Sequence, residues 1–585
     1  MILPIVNEIP TSREMVDKFL GYNHNLQISE SEFYNMENLT STHYPLLSPR
    51  SPRGTYAADI NPQGLIAKDS LGYVDGSCFV LNQYPIDIGL STDADKCPKT
   101  LVSMGAYVII LPDKKWINTA NLEEYGDIEA TYTSPEENSV TFNLCQIDGE
   151  EYGEILQQAT EPDDPADKVY WLDISSTPNS LKQYSATSKM WVTVPTTYIK
   201  ITSPGIGKKF EKYDGVTISG VKNDNLQDLN NTMVIWGKDD NSIIVTGILD
   251  ATVVQDGSVG VITVTREMPI MDFVTESGNR LWGCRYGKAN NGQVVNEIYA
   301  SKLGDFKNWN CFMGVSTDSY AATVGTDGQF TAAVTHLGYP LFFKETCVHK
   351  VYGNYPSNFQ IQTTNCRGVA KGSEKSLATV NEVLYYKSRN GVCAYDGSLP
   401  VEVSSALGEV TYTDAVGGYL GNKYYISMKD AGDAYHLFVY DTVKRMWHRE
   451  DNTQVKDFCN CRGELYYIDT NSQIKTINGS GNKDTTPTKW MAETGVIGTS
   501  LPDKKYISRL LVRMSLDVGA KVMFFIQYDS SGAYEHLFTM TGVSLHSFNV
   551  PIKPKRCDHF RLKITGVGDA KIYSITKTIE QGSDV

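Results

Sequence analysis

Two short segments of this 585-residue chain carry residue types that can bind phosphate or a metal cation. Residues 205–209, GIGKK, have the glycines and lysines of a phosphate loop. They lack the G-x-x-x-x-G-K-S/T spacing and a following helix, so a β-turn is the better interpretation. Asp163, Asp164 and Asp167 offer oxygen atoms suited to Ca²⁺, but the glycine and the distal glutamate of an EF-hand loop are missing. Both segments are therefore interpreted as loops without a ligand.

The cysteine and histidine residues are scattered rather than grouped at metal-binding spacings. Cys459 and Cys461 form the only close cysteine pair, and no second pair stands at zinc-finger spacing. His336 and His349 flank one predicted strand without a further pair of ligands. Eleven cysteines, an odd number, are typical of free thiols in a reducing compartment. The sequence thus predicts no metal site and no cofactor.

Carboxylates could carry out glycoside hydrolysis, which needs a pair of them about 5 to 9 Å apart. The chain has 68 Asp and Glu residues, so their abundance identifies no pair. The Ser-x-Asp-x-Gly-x-Thr-Trp phrase of sialidase-type blades is absent, and residues 326–329, TDGQ, are better explained as a turn. The sequence therefore predicts no catalytic residue and a protein that is not an enzyme.

The elements that would position any site follow a repeat. A turn residue precedes a short aromatic strand at Gly338, Asn381, Gly421 and Gly463, with spacings of 43, 40 and 42 residues. A strand-built repeat of roughly 40 to 50 residues is typical of a β-propeller blade. Further clusters lie near residues 76, 105 and 278. The sequence predicts an all-β fold with a propeller of about seven blades.

The repeat is interrupted once, and a different pattern follows it. Alternating strands within the interruption predict an inserted small β-barrel or sandwich, and six strands near the C-terminus predict a β-sandwich. The predicted segments are an extended N-terminal arm at 1–56, propeller at 57–123, the inserted β domain at 124–270, propeller at 271–485 and the C-terminal β-sandwich at 486–585.

The N-terminal arm is too apolar to remain in water and too short to form its own core. Residues 11–14, TSRE, match a capping box and predict a helix that ends at Gly21. The rest is extended and must pack on this chain's own propeller or on a neighbouring subunit. The side chains predicted to make assembly contacts are Phe19, Tyr22, Leu39, Tyr44, Leu47, Arg50 and Arg53.

The net charge of −15 is concentrated in one segment, because residues 127–167 hold twelve acidic side chains and no Lys or Arg. Such a segment repels phosphate, which argues against sequence-reading DNA binding but allows DNA to slide past without adhering. The predicted acidic patch comprises Asp127, Glu129, Glu136, Glu137, Glu150, Glu151, Asp163, Asp164 and Asp167.

No stretch of the sequence approaches the roughly 18 to 20 apolar residues of a membrane span, so no membrane insertion is predicted. The first eight residues lack the basic and apolar regions of a signal peptide. We therefore expect the protein to remain in the compartment where it is made unless an assembly carries it out.

Several phrases resemble those of structural proteins of tailed bacteriophages. They are NRLW at residues 279–282 with a Tyr-Ala-Ser and Gly-Asp pattern through residue 309, then FLGYN at 19–23, MENLTS at 36–41, YPLLSPR at 44–50 and KTIEQGS at 577–583. The chain resembles the tail nozzle, or tail hub, proteins of short-tailed phages over the arm, the propeller and the C-terminal sandwich. The acidic inserted domain matches no motif of that family.

The resemblance implies a virion protein of the tail, assembled in the host cytoplasm. It implies a homo-oligomeric ring around the DNA exit channel, in contact with other tail proteins and with passing phage DNA that is not read by sequence. No catalytic residues come with it. Two alternatives stay open, namely a propeller that binds a host-surface glycan and one that degrades a polysaccharide.

Overall fold

The fold is described from a computed structural model, for residues 11–135, 140–222, 224–249, 253–256, 261–289, 292–499 and 504–581. The protein is all-β, with 53% strand and 3% helix. This confirms the predicted class. The helical turns among the described residues are 3₁₀ segments at Ala94–Lys96, Ile206–Lys209, Asp224–Leu229, Pro356–Asn358, Glu374–Ser376 and Ser405–Leu407. No helix among the described residues is long and apolar enough to cross a membrane.

The chain packs as two compact units. Unit 1 comprises Met1–Lys99, Phe342–Val348 and Thr363–Val585, and unit 2 comprises Thr100–Leu341 and His349–Gln362. Most strands lie in small antiparallel sheets whose order in space follows their order along the chain, since each is joined to the next by a short turn.

Unit 1 holds four such meander sheets. The first is formed by Pro62–Ala67, Leu71–Asp75, Cys78–Leu81 and Tyr84–Asp87. The second is formed by Ala378–Val380, Val383–Ser388, Gly391–Tyr395 and Val401–Glu402. The third is formed by Tyr412–Leu420, Lys423–Asp430, Tyr435–Asp441 and Met446–Asp451. The fourth contains Asp457–Cys461, Glu464–Ile468 and Ile474–Thr476.

A strand from the beginning of the chain completes the fourth sheet. Gly54–Ala57 pairs with Ile474–Thr476, and the short strand Asn482–Lys483 adds on its other side. Glycine is required at the start of this strand, because a Cβ atom on Gly54 would lie 2.4 Å from the Ser480 carbonyl oxygen. The first and fourth meander sheets share a hydrophobic cluster that includes Leu65, Tyr73 and Ile474.

A larger sheet unites both ends of the chain in unit 1. Its strand order is Thr11–Val16, Ala570–Gln581, Lys505–Tyr528, Phe560–Val567, Lys489–Thr494 and Phe33–Glu37, with Glu535–Val550 paired to Lys505–Tyr528. Leu39–Thr40 pairs with Ser48–Pro49 in a small two-stranded sheet. Along the chain, these two strands follow Phe33–Glu37 and precede Gly54–Ala57.

Two local predictions for this region were wrong. The predicted helix at residues 11–20 begins instead as the strand Thr11–Val16, because its backbone groups pair with residues 575–580. Four of the six strands predicted near the C-terminus form only two long strands in the structure, Lys505–Tyr528 and Glu535–Val550. Each continues through a polar, glycine-containing bend that the sequence pattern marks as a turn.

Unit 2 contains two further meander sheets. One is formed by Thr100–Met104, Tyr107–Leu111, Lys115–Asn118 and Tyr125–Asp127, and the other by Phe273–Ser277, Arg280–Lys288, Val294–Ala300 and Tyr320–Thr323. They share a cluster with Trp116, Leu281 and Trp309. A further four-stranded sheet is formed by Phe330–His336, Tyr339–Lys344, Cys347–Tyr352 and Gln360–Asn365.

The segment predicted as an inserted β domain forms three sheets in unit 2. The first sheet has the strand order Ala130–Thr133, Thr263–Arg266, Gly215–Ser219 and Thr232–Val234. The second has the order Gly237–Asp239, Ser242–Thr246, Tyr198–Thr202, Val140–Cys145 and Val253–Asp256. The third has the order Ile155–Gln158, Tyr170–Asp173, Ser180–Ser185 and Met190–Thr193. They enclose a common hydrophobic cluster around Phe142, Ile201 and Val264.

The described residues show no closed propeller. The meander sheets predicted as blades are instead distributed over two compact units. The all-β class is therefore established, and the circular arrangement is not.

Candidate functional site

The residues predicted as assembly contacts lie in unit 1, mostly in its interior. Phe19, Tyr22, Leu39 and Leu47 belong to the hydrophobic cluster of the large sheet and the third meander sheet. Tyr44 is the exception, since 38% of its surface is exposed. The arm thus contributes core side chains to its own chain.

Backbone hydrogen bonds fix the arm in this position. The Tyr22 amide donates to the Trp447 carbonyl oxygen at 2.6 Å, and Leu47 exchanges two such bonds with Ile572. Gly21 makes the approach to Trp447 possible, because it has φ +83° and a Cβ atom there would lie 2.3 Å from the Trp447 oxygen. The glycine predicted to end a helix therefore serves a close backbone contact instead.

Arg50 and Arg53 form a buried ion-pair network with two carboxylates of the strand Met446–Asp451. One Arg53 nitrogen lies 2.8 Å from Glu450 Oε2 and 2.9 Å from Asp451 Oδ2, and Arg50 lies 3.4 Å from both carboxylates. Burial opposes ionisation of Asp451, but the charges of Arg53 and Arg50 outweigh it and hold its pKa below the usual value. The network anchors the arm electrostatically to the third meander sheet.

The structure therefore assigns six of the seven arm residues an intrachain role. Deleting residues 1–56 would remove core side chains, the Gly54–Ala57 strand and the buried arginines together. We therefore expect such a truncation to disrupt the folding of unit 1. Contact of the arm with a neighbouring subunit stays a prediction.

The predicted acidic patch is only partly a free negative surface. In unit 2, Asp127 lies 2.7 Å from the Lys115 ammonium group, and Glu129 lies 2.5 Å from that of Lys114. Both lysines precede the acidic segment in sequence, so they neutralise its first two members.

The other described members of the patch also lie at the surface. Glu150, Glu151, Asp163, Asp164 and Asp167 are exposed, with Glu151 accepting a hydrogen bond from Asn143 and Asp167 from the Ala186 amide. Glu136 and Glu137 lie outside the described residues. No group of three or more His, Cys, Asp or Glu side chains among the described residues has the arrangement of a metal site.

Sequence reasoning missed a cleft of about 480 Å³ in unit 1. Its walls include residues near the start of the first strand in each of the first, third and fourth meander sheets. Residues that precede the second meander sheet in sequence also line it. Its charged side chains are Glu374, Lys375, Asp414, Lys456 and Asp457. No motif marks the cleft, because its residues come from loops separated by hundreds of positions.

The two aspartates of the cleft are held by fixed partners. Asp457 Oδ2 accepts the Leu65 amide at 3.2 Å and lies 3.4 Å from the Lys375 ammonium group. Asp414 lies 2.7 Å from Lys429. Carboxylates, ammonium groups and the nearby Tyr435 give the cleft donors and acceptors suited to a polyhydroxylated ligand.

A second cavity of unit 1, about 340 Å³, has a buried lysine in its wall. Burial lowers the pKa of Lys387 to about 8. Its ammonium group donates to the Ser388 carbonyl oxygen, and Glu402 and Glu409 also line the cavity. The signal in the sequence was a lysine directly after the apolar run 383–386, within a strand.

No family model matches the chain, and no curated protein matches it. Solved structures that match include an exo-β-1,3-galactanase from Phanerochaete chrysosporium, at 9% identity over 52% of this chain and 94% of that chain, with a TM-score of 0.23. The extracellular domain of a putative one component system from B. thetaiotaomicron matches at 9% identity over 92% and 98%, with a TM-score of 0.24. A puromycin hydrolase matches at 8% identity over 76% and 61%, also at 0.24.

Glycoside hydrolases and a puromycin hydrolase are among the matched structures, and this contradicts the prediction that the chain is not an enzyme. None of the structures named here is a phage tail protein. The resemblance to tail nozzle proteins stays a prediction.

Proposed function

We propose that this chain is a structural subunit of the tail of a short-tailed bacteriophage, in which identical copies form a closed ring around the DNA exit channel. In this proposal the protein is assembled in the host cytoplasm, contacts other tail proteins and remains in the virion. Its exposed acidic side chains keep passing DNA from adhering, because like charges repel.

The observation that carries the proposal is the joint folding of the arm and the C-terminal ending. Both segments contain phrases that resemble nozzle proteins, and both lie in the large sheet of unit 1. Residues 11–16 pair with residues 575–580, and the buried Lys577 ammonium group binds Glu14 at 2.6 Å and also binds Glu30. The two segments thus fold together in one sheet, which supports the proposal that both belong to the same structural module.

A second part of the proposal concerns the meander sheets, which we interpret as blades of a propeller. Within unit 1, the strand Gly54–Ala57 joins a sheet whose other strands come more than 400 residues later. This strand from early in the chain lies between Ile474–Thr476 and Asn482–Lys483 and so joins the arm to the fourth sheet. The cluster shared by the first and fourth sheets supports the same arrangement, since neighbouring blades pack face to face.

Imaging of the purified full-length protein tests this proposal. We expect rings with cyclic symmetry and a central opening wider than duplex DNA, roughly 20 Å, and a molecular mass that is an integral multiple of the 65.0 kDa subunit. A protein that stays monomeric at micromolar concentration, by mass photometry and by light scattering, would refute it. Fluorescence polarisation with labelled duplex DNA should show no binding at 50 mM salt, where electrostatic contacts are strong.

A polysaccharide-acting protein is the second candidate, and the cleft of unit 1 favours it. The glycoside hydrolases among the matched structures agree with this candidate better than with the first. Asp414 and Asp457 are the carboxylates that we would expect to contact the sugar, with Lys375 beside Asp457.

Release of reducing ends from a panel of capsule and cell-wall polysaccharides tests the second candidate. If the cleft is catalytic, Asp457→Asn and Asp414→Asn each lower the rate by about 100-fold or more. Asp433→Asn is the matched control, because Asp433 pairs with the same Lys429 as Asp414 but is exposed and does not line the cleft. No release from any polymer, or equal loss in the control, removes this candidate.

A further inference from the structure

In the described part of the chain, one half of the large sheet of unit 1 ends in two strand edges that pair with no further strand. Its strand order is Thr11–Val16, Ala570–Gln581, the first part of Lys505–Tyr528 and the second part of Glu535–Val550. A single row crosses all four strands, from Val16 to Ile575, Val512 and Phe548. Val16 and Phe548 therefore mark opposite edges of one continuous sheet.

The edge formed by residues 543–550, called here the acceptor edge, has features of a surface that becomes covered. Among the described strands it pairs only with Lys505–Tyr528, so one row of its amide and carbonyl groups faces outward. Leu545 is 45% exposed. No Asp, Glu, Lys or Arg occurs from His536 to Ile552.

Proteins that keep a strand edge free usually protect it with charged side chains, proline or a short length. The acceptor edge has eight residues with no charged side chain and no proline, and its pairing with Lys505–Tyr528 shifts register between Val543 and His546. An unprotected edge of this length is suited to receive a further strand, since backbone hydrogen bonds would satisfy its outward groups.

The opposite edge, called here the donor edge, is formed by residues 12–16. Among the described strands, Thr11–Val16 pairs only with Ala570–Gln581. Met15 is 61% exposed. Of the two charged residues of this edge, Arg13 and Glu14, the second is already paired with Lys577 of the same chain at 2.6 Å, and an uncharged partner strand repels neither.

We infer that the donor edge of one copy pairs with the acceptor edge of the next, so that the sheet continues from subunit to subunit. The occupant of each edge is a second copy of this chain. The two edges differ from each other and terminate the same sheet, so the contact is head to tail and repeats with every added copy. The donor edge has five residues and the acceptor edge eight, so the whole donor edge can pair within the acceptor edge.

This inference rests on the proposed ring and names the surface that closes it. It requires no further protein. If the acceptor edge instead paired with another acceptor edge, the contact would be symmetric and would stop at a dimer.

Cysteine cross-linking of the full-length protein distinguishes these arrangements. The double variant Met15→Cys/Leu545→Cys is treated with a short bismaleimide that spans more than the roughly 5 to 8 Å between side chains of paired strands. We expect a ladder of covalent oligomers from the double variant, and no ladder from Met15→Cys or Leu545→Cys alone. The single variants also control for the native cysteines.

A lysine variant gives an independent readout. Ser544→Lys/Leu545→Lys/Ser547→Lys adds three charges at exposed positions of the acceptor edge, and we expect the apparent dissociation constant of the oligomer to rise about 10- to 100-fold. Val518→Lys/Ser531→Lys/Ala533→Lys adds the same charge at exposed positions elsewhere on the same hairpin and should leave assembly unchanged. Amide hydrogen exchange of residues 543–549 should be slower in the wild-type oligomer than in the acceptor-edge variant.

The outcomes separate this inference from the proposed function. A wild-type ring that forms no ladder in the double variant overturns the edge pairing and leaves the ring proposal standing. Covalent dimers from Leu545→Cys alone overturn it in favour of symmetric pairing. A monomeric wild-type protein overturns both.

Discussion

Replacing Arg53 with methionine tests whether the arm is part of the chain's own core. Arg53 is 6% exposed, and its guanidinium group donates to Glu450, Thr453 and Tyr467, at 2.8, 2.8 and 3.3 Å. Methionine keeps much of the volume but leaves Glu450 buried with only the longer contact to Arg50. Breaking a buried ion pair by removing one partner costs about 3 to 5 kcal/mol, so we expect a loss of that size in the free energy of unfolding.

The loss should depend on pH with a definite sign. The pKa of Asp451 is lowered in the folded state from its usual value of 3.8, against the effect of burial, by Arg53 and Arg50. A lowered carboxyl pKa stabilises the fold above the unfolded value and ceases to do so as pH falls through the folded value. The difference between the wild type and Arg53→Met should therefore be full above about pH 5 and shrink below about pH 4.

Urea unfolding followed by tryptophan fluorescence measures this difference, with Arg367→Met as the control. Arg367 also binds a carboxylate, Glu402 at 2.6 Å, but its side chain is 53% exposed. Exposed pairs contribute about 0 to 1 kcal/mol, so the control should unfold nearly like the wild type. If Arg53→Met unfolds like Arg367→Met and loses only its ability to form oligomers, then the arginine acts between subunits and the reasoning is refuted.

Three further predictions concern the same unit. Deleting residues 1–56 should give an insoluble or rapidly proteolysed chain, because the Gly54–Ala57 strand and the arm's core side chains are lost; a soluble truncated protein that resists limited proteolysis would contradict this. Burial, reinforced by Lys423, lowers the pKa of His448 to about 3, so stability should fall as pH drops below 6.5 towards 3. In His448→Asn that loss should be smaller by up to about 1.4 kcal/mol per pH unit, measured from urea midpoints between pH 4 and 7. Gly21→Ala should lower the free energy of unfolding by more than about 1 kcal/mol, because the positive φ and the Trp447 carbonyl both exclude a Cβ atom; an unchanged urea midpoint would show that the arm can shift.

The aromatic repeat in the sequence located real strands. Each aromatic phrase falls on the second strand of its sheet. The phrases at Gly338, Asn381 and Gly421 lie in four-stranded sheets, and the phrase at Gly463 lies in the fourth meander sheet. This succeeded because a hairpin is set by its turn residue and by the alternation of its flanking strands, which are local properties.

Pairings between distant segments could not be predicted in this way. Gly54–Ala57 joins Ile474–Thr476, and Arg53 meets Glu450, each across about 400 residues that no local pattern connects. The capping box at residues 11–14 predicted a helix because the partner strand at 575–580 is equally remote. The cleft with Asp414 and Asp457 was missed for the same reason, since it exists only after the loops of separate sheets converge.

The pairing of residues 11–16 with residues 575–580 has a consequence for biosynthesis. At roughly 5 to 20 residues per second, a ribosome needs about 30 to 110 s to make the chain between them. During that time the strand Thr11–Val16 has no residues 575–580 to pair with. A chain released before those residues are made lacks this partner strand altogether. Translation through residue 580 therefore decides whether a copy can complete this sheet, and a chain that terminates earlier is left with an incomplete sheet.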